Sequence, residues 1–284
     1  LTGAEVFFKC ENFQKVGAFK FRGATHAVLC LTDEEARRGV ATHSSGNHAA
    51  ALALAARDRG IPCYVAMPEN APKSKIEAVR NYGAEITFCR PTLASREETL
   101  QGIVDATGAA FIHPYDNFNV ICGQGTAARE LLEEQPRLEV LLAPVGGGGL
   151  LSGTSISARA MAPGIRIIGC EPANADDASR SFHSGTLLPS VDPKTMADGL
   201  LTSLSERTFT IIRNFTDDIL TTSEESILRA MRMVWQRMKI IIEPSSAVPV
   251  AVLMDHAREF AGRRTGIILS GGNCDLSNLP FRES

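Results

Sequence analysis

Val140-Leu141-Leu142-Ala143-Pro144-Val145-Gly146-Gly147-Gly148-Gly149-Leu150-Leu151 joins an apolar run to four glycines and a second apolar run. The first six residues are short, apolar and bounded by glycine, which predicts a buried strand over 140–145. The residues after the glycines predict a helix over 150–161. Four glycines leave backbone N–H groups unobstructed, and the helix start behind them adds partial positive charge, so the turn is suited to a phosphate. A flexible turn is the plain alternative for isolated glycines, less so for four in a row between strand and helix. The run lacks GxGxxG spacing and no P-loop lysine follows it, which weakens dinucleotide and nucleoside triphosphate readings.

Outward from this turn the same alternation recurs. Strands are predicted at 6–10, 40–44, 63–67, 85–89, 165–171 and 266–270. Helices are predicted from about Ala18 and at 46–59, 72–82, 92–107, 120–134 and 223–238. Strand and helix alternating at this spacing imply parallel βαβ units and an α/β fold. Such sheets bind ligands beyond the carboxyl ends of their strands. The runs 44–48, 146–149 and 271–272 fall at those ends. No internal repeat or low-complexity linker interrupts the chain.

The bulk numbers narrow the function classes. The 284 residues are 44% hydrophobic and 21% charged, ordinary for one large or two modest domains. A net charge of −3 without a basic face argues against nucleic acid, which needs many Lys and Arg on one surface. The longest apolar stretch, near 49–56, falls far short of the roughly 20 residues of a membrane span. No secretory signal pattern opens the chain. Seven cysteines, widely spread and without a CxxC pair, read as free thiols in a reducing cytosol, which predicts a cytoplasmic protein.

Three further runs carry chemistry. Ala18-Phe19-Lys20-Phe21-Arg22-Gly23 places a lysine at a helix start, where the positive end of the helix and Arg22 favour the nucleophilic amine over the ammonium. A lysine at a helix start is ordinarily solvated, but Phe19 and Phe21 make this segment too apolar for an exposed turn. Thr42-His43-Ser44-Ser45-Gly46-Asn47-His48 gathers hydroxyls, an amide and two imidazoles at a strand end and helix start. Free N–H groups there suit a carboxylate, and an N-cap by Ser or Asn is the structural alternative. A metal held by His43 and His48 is disfavoured, since no third ligand is evident. Ser270-Gly271-Gly272-Asn273 ends the last strand, where a serine hydroxyl suits a heteroaromatic nitrogen.

As a set these runs resemble the fold-type-II pyridoxal phosphate enzymes, in particular the serine racemase and threonine dehydratase group. The resemblance extends over nearly the whole chain. It includes 11–14, the lysine run, 42–48, Gly123-Gln124-Gly125-Thr126, the tetraglycine, 171–177, Ala197-Asp198-Gly199, Glu243-Pro244-Ser245-Ser246 and 270–273. It implies that Lys20 carries pyridoxal 5'-phosphate as a Schiff base, with Phe19 beside the ring. Gly146, Gly147, Gly148 and Gly149 would hold the phosphate, Asn47 the ring hydroxyl and Ser270 the pyridine nitrogen. Ser44, Ser45, Asn47 and His48 would receive the substrate carboxylate. Glu171, Asp177 and the carbonyl of Ala175 would hold Mg²⁺ or Ca²⁺, with Mn²⁺ as a further hard cation; a surface acidic turn is the plain alternative.

The family fold is α/β with two parallel-sheet domains, helices on both faces of each. It implies a small mobile domain at 39–116 inserted in a large one made of 1–38 and 117–284, closing over the substrate. Family members carry several dozen residues before this first strand, so the sequence is expected to be the ordered part or a truncated chain. With no regulatory domain after Phe281 in the given sequence, the chain is expected to resemble the short catabolic members. The family is usually dimeric, which implies a homodimer. Racemases bind ATP near a basic residue matching Lys239, so ATP stands as an expected effector, although one lysine does not define a nucleotide site.

The activity implied is a lyase acting on L-serine or L-threonine. Lys20 takes the α-proton, the β-hydroxyl leaves, and a 2-keto acid and ammonia result. Serine racemase is the second expectation, with Ser45 as the acid on the opposite ring face. A third is 3-hydroxyaspartate dehydratase giving oxaloacetate, suggested by Ser95-Arg96-Glu97-Glu98 and by 243–249. There Arg96 would support a second substrate carboxylate, a solvated helix charge being the alternative. Tyr115 in His113-Pro114-Tyr115-Asp116 resembles the dehydratases more than the animal racemases. A non-catalytic relative would be expected to lose Lys20, which is intact.

Overall fold

The computed structural model describes residues 2–44, 46–276 and 279–281, and the backbone alone at Ser74. In chain order the strands are β1 (Glu5–Cys10), β2 (Val40–His43), β3 (Cys63–Pro68), β4 (Glu85–Cys89), β5 (Ala110–Phe111), β6 (Val140–Pro144), β7 (Arg166–Pro172), β8 (Asp218–Thr222) and β9 (Arg264–Leu269). The helices are α1 (Lys20–Leu29), α2 (Asp33–Arg38), α3 (Asn47–Arg59), α4 (Lys73–Asn81), α5 (Leu93–Thr107), α6 (Phe118–Glu134) and α7 (Gly149–Met161). They continue with α8 (Asp177–Ser184), α9 (Glu206–Phe215), α10 (Glu224–Met238), α11 (Pro244–Asp255) and α12 (Ala257–Phe260).

The chain packs as two compact units, one of residues 1–19 and 124–284, the other of residues 20–123. The first holds a five-stranded sheet in the order β1-β9-β6-β7-β8, with every pairing parallel. Side chains alternate across β6. Leu142 enters a core with Ile227, Met231, Val248 and Val252 from α10 and α11. Leu141 and Ala143 enter another with Leu150, Leu151, Ala158 and Ile212 from α7 and α9. Helices therefore cover both faces, as strands apolar on both sides require.

The second unit holds a four-stranded sheet in the order β4-β3-β2-β5, again parallel throughout. Helix α5 packs on β2, β3 and β4 through Ala41, Ala66, Leu100 and Ala109. Helix α3 packs on β2 and β3, and α1 on α3. That last contact places residues 20–38 with this unit. Short strands at β5 and β8 add to those the sequence indicates. So does α11, which is buried from Ser245 to Leu253 and carries Pro249 inside it.

Candidate active site

In the larger unit the tetraglycine turn is buried and joins β6 to α7. Gly148 is the N-cap of α7 with φ +84°, a conformation that L side chains rarely adopt. A Cβ at Gly148 would stand 2.7 Å from Leu204 Cδ2, and one at Gly146 would stand 2.9 Å from Leu200 Cα. The turn thus has no room for a side chain at Gly146 or Gly148. The N–H of Ser152 makes the first helical bond, to the Gly148 carbonyl at 2.8 Å. The amides of Gly149, Leu150 and Leu151 precede it and have no acceptor within the helix. A bare turn with unspent amides at the start of a 13-residue helix fits a phosphate.

Ser270, at the end of β9, is buried, and its carbonyl accepts the Phe19 N–H at 2.9 Å. Ala18 pairs with Gly271 in an isolated antiparallel bridge. The segment just before Lys20 is therefore fixed to the Ser270–Gly271 turn, 251 residues away along the chain. The buried Glu243 closes this turn from another side. Its N–H donates to the Gly271 carbonyl at 3.0 Å, and a Cβ at Gly271 would stand 2.6 Å from Glu243 Oε1.

In the smaller unit Lys20 is the first residue of α1, and its Nζ donates to the Pro114 carbonyl at 2.8 Å. The neighbouring Ile112 carbonyl takes two donors, Thr42 Oγ1 at 3.0 Å and His48 Nε2 at 3.0 Å. Between them, His113 Nδ1 accepts the N–H groups of Tyr115 at 3.3 Å and Asp116 at 2.8 Å. Residues 112–116 thus form a rack that fixes Lys20, Thr42 and His48 together. The sequence reading missed it, because β5 before it is only two residues long. The edge-on packing of His113 on Tyr115, 4.5 Å between centroids, and on Phe111 holds the rack rigid.

The loop of residues 44–48 answers the capping alternative. Helix α3 is capped by Gly46 with no side-chain cap bond, so neither Ser44 nor Asn47 serves as N-cap. Ser44 Oγ accepts the Gly46 N–H at 3.3 Å, and Asn47 is the first residue of α3. Ser45 lies outside the described residues. His48 is buried, and its Nε2 faces a carbonyl, which makes Nε2 the protonated nitrogen and Nδ1 a bare acceptor. Burial first, then the charge on Lys20, holds its pKa at about 3. The neutral ring has no N–H left to give a carboxylate.

Glu171 is the penultimate residue of β7 and Asp177 begins α8, with Ala175 in the 3-10 turn between them; all three are buried. Glu171 accepts the N–H groups of Ala178 at 2.9 Å and Ser179 at 2.7 Å. Asp177 Oδ2 is buried without a hydrogen-bond partner. Burial pushes Glu171 up to about 8 and raises Asp177. Among the described residues no three His, Cys, Asp or Glu side chains form a metal-binding group. Two buried carboxyls beside a backbone carbonyl are nonetheless an oxygen donor set suited to a hard cation. Arg96, on α5, buries its Nε without a hydrogen-bond partner. Its charge acts on His43, whose pKa burial, above all, lowers.

The larger unit thus carries a buried glycine turn at a helix start, and the smaller unit a lysine held on a carbonyl. The family model described as pyridoxal-phosphate dependent enzyme matches residues 1–271, and the chain belongs to that family. It is 51% identical over 281 residues to the beta-hydroxyaspartate dehydratase of Paracoccus denitrificans (strain Pd 1222), covering 99% of this chain and 89% of that protein. The crystal structure of serine racemase from Dictyostelium discoideum superposes with a TM-score of 0.93 at 46% identity, covering 97% of this chain and 89% of that one. The threonine deaminase isoform 2 of Solanum lycopersicum, in its processed form, superposes with a TM-score of 0.93 at 31% identity, covering 97% and 81%. The fold is that of the fold-type-II pyridoxal phosphate enzymes. No helix among the described residues is long and apolar enough to cross a membrane.

Proposed function

We propose that this enzyme is an ammonia-lyase that converts a small β-hydroxy amino acid, L-serine or L-threonine, into a 2-keto acid and ammonia. The observation that carries this reading is Lys20, whose Nζ is held 2.8 Å from the Pro114 carbonyl. A lysine that must both carry a cofactor and take a proton needs its amine kept in place when released, and the rack supplies that acceptor. The glycine turn binds the phosphate, Phe19 lies beside the ring, Asn47 meets the ring hydroxyl and Ser270 the ring nitrogen. Bound pyridoxal phosphate supplies an electron sink for the charge left at Cα. Ser44, Ser45, Asn47 and His48, the last two in the first turn of α3, orient the carboxylate. Lys20 takes the α-proton and keeps it on Nζ against Pro114.

The same reading takes in Mg²⁺ or Ca²⁺ at Glu171, Ala175 and Asp177, supported by the two buried carboxyls. It also takes in a homodimer, a cytoplasmic location, racemisation through Ser45 and ATP near Lys239, all supported by the family resemblance.

A second substrate reading, 3-hydroxyaspartate, is favoured by the buried unpaired Nε of Arg96, a charge available to a second carboxylate. The 51% identical relative is named for a hydroxyaspartate.

The test is borohydride reduction of the cofactor-loaded protein followed by peptide mass spectrometry. The pyridoxyl group is expected on Lys20, and attachment at another lysine would sink the assignment. Keto acid release from L-serine, L-threonine and both 3-hydroxyaspartate diastereomers then ranks the substrates.

A further inference from the structure

The His48 ring, in its Nε2–H tautomer, has only an acceptor left to offer. Its Nε2–H is spent on the Ile112 carbonyl at 3.0 Å, which also takes the Thr42 hydroxyl at 3.0 Å. Its Nδ1 is buried and has no hydrogen-bond partner. A buried lone pair without a donor is costly, so such a group persists where a donor arrives in the working cycle. The donor on hand is Lys20. It is held two residues along the same rack, on the Pro114 carbonyl, and its charge bears on the His48 ring.

We infer that His48 is a positioning residue for Lys20: its Nδ1 is the second acceptor, beside the Pro114 carbonyl, for the Lys20 amine when it bears the proton taken from substrate. This rests on the reading of Lys20 as the base. Deprotonated Lys20 has two N–H bonds and a lone pair; two fixed acceptors aim the lone pair away from the rack. Once Nζ is protonated, both acceptors face a cation, and a neutral imidazole accepts from ammonium more strongly than from amine. The proton stays on Lys20 because His48 is held neutral. Burial does this chiefly, with the charges of Lys20, His113 and His43 acting in the same direction. Thr42 keeps the Ile112 carbonyl occupied and so fixes the rack independently of His48.

Two substitutions separate the ring nitrogens. His48→Asn places its amide where Nδ1 lies, and His48→Gln places it where Nε2 lies. The measured quantity is the pH dependence of reductive methylation at Lys20 in the full chain stripped of cofactor, read by peptide mass spectrometry. Loss of the Nδ1 acceptor destabilises the ammonium, so His48→Gln is expected to lower the Lys20 pKa by about one unit, roughly a tenfold gain in labelling rate near neutral pH. His48→Asn should stay within about twofold of the parent. Equal behaviour of the two variants, or no change in His48→Gln, overturns the inference. Should either variant fail to fold, ¹⁵N NMR of the parent ring decides. Lys20→Met should move the Nδ1 resonance and leave Nε2 in place, and an unmoved Nδ1 overturns the inference. Pyridoxyl attachment at another lysine removes the role of Lys20 and this inference with it, whereas unchanged labelling in His48→Gln overturns this inference alone.

Discussion

The backbone N–H of Ser179 donates to Glu171 Oε2 at 2.7 Å, so a carboxyl from the end of β7 caps the start of α8. That carboxyl is buried, and burial lifts its pKa from 4.5 to about 8, with Asp177 and Asp176 adding to the rise. Between those values the folded chain binds a proton that the unfolded chain releases. Its contribution to stability is therefore full below pH 4.5 and is lost as pH rises towards 8. Glu171→Gln should flatten this slope in urea unfolding at pH 5, 6.5 and 8. Mg²⁺ should stabilise the parent more at pH 8 than at pH 5, because the cation displaces the proton. Parallel pH profiles for parent and variant would refute the assignment.

His48 acts with the opposite sign. Its folded pKa of about 3 lies below the ordinary 6.5, so above pH 6.5 it changes nothing. As pH falls from 6.5 towards 3 the unfolded chain gains a proton that the buried ring refuses, and stability drops. His48→Asn should remove that part of the acid loss between pH 6 and 4. Thermal unfolding across this range checks it, and an unchanged acid limb would refute it.

Gly148→Ala should damage both fold and cofactor binding. Positive φ costs a non-glycine residue about 1–2 kcal/mol, and the added methyl meets Leu204 at 2.7 Å, which overpacking adds to by about 1–3 kcal/mol. Gly164, where a Cβ meets nothing within 4 Å, is the control. Cofactor affinity measured by absorbance should fall at least tenfold for Gly148→Ala alone. Equal affinity in the two variants would count against the phosphate turn.

Arg96→Gln separates the two substrate readings. A charge-assisted contact to a second carboxylate is worth about 1.5–3 kcal/mol, roughly 10- to 100-fold. The kcat/KM for 3-hydroxyaspartate should fall by that factor, with less than about a threefold change for L-serine. Equal losses on both substrates would assign Arg96 to packing.

Much of this molecule is local enough to read along the chain. Four glycines between an apolar strand and a second apolar run mark a bare turn, and β6 and α7 stand within one residue of the predicted bounds. Helix α11 is different. Buried all round and interrupted by Pro249, it carries no 3.6-residue periodicity to detect. Strand β5 is two residues long and exists because Val40 and Ala41 pair with it.

By itself the sequence determined the parallel α/β class, the glycine turn between strand and helix and Lys20 at a helix start, because glycine freedom and helix polarity act over a few residues. Only the tertiary structure decided what the side chains around Lys20 do. The acceptor for Lys20 comes from Pro114, 94 residues on, and the carbonyl that fixes the His48 tautomer from Ile112, 64 residues on. Charge and tautomer are set by burial and by partners in space, and those are properties of the packed chain.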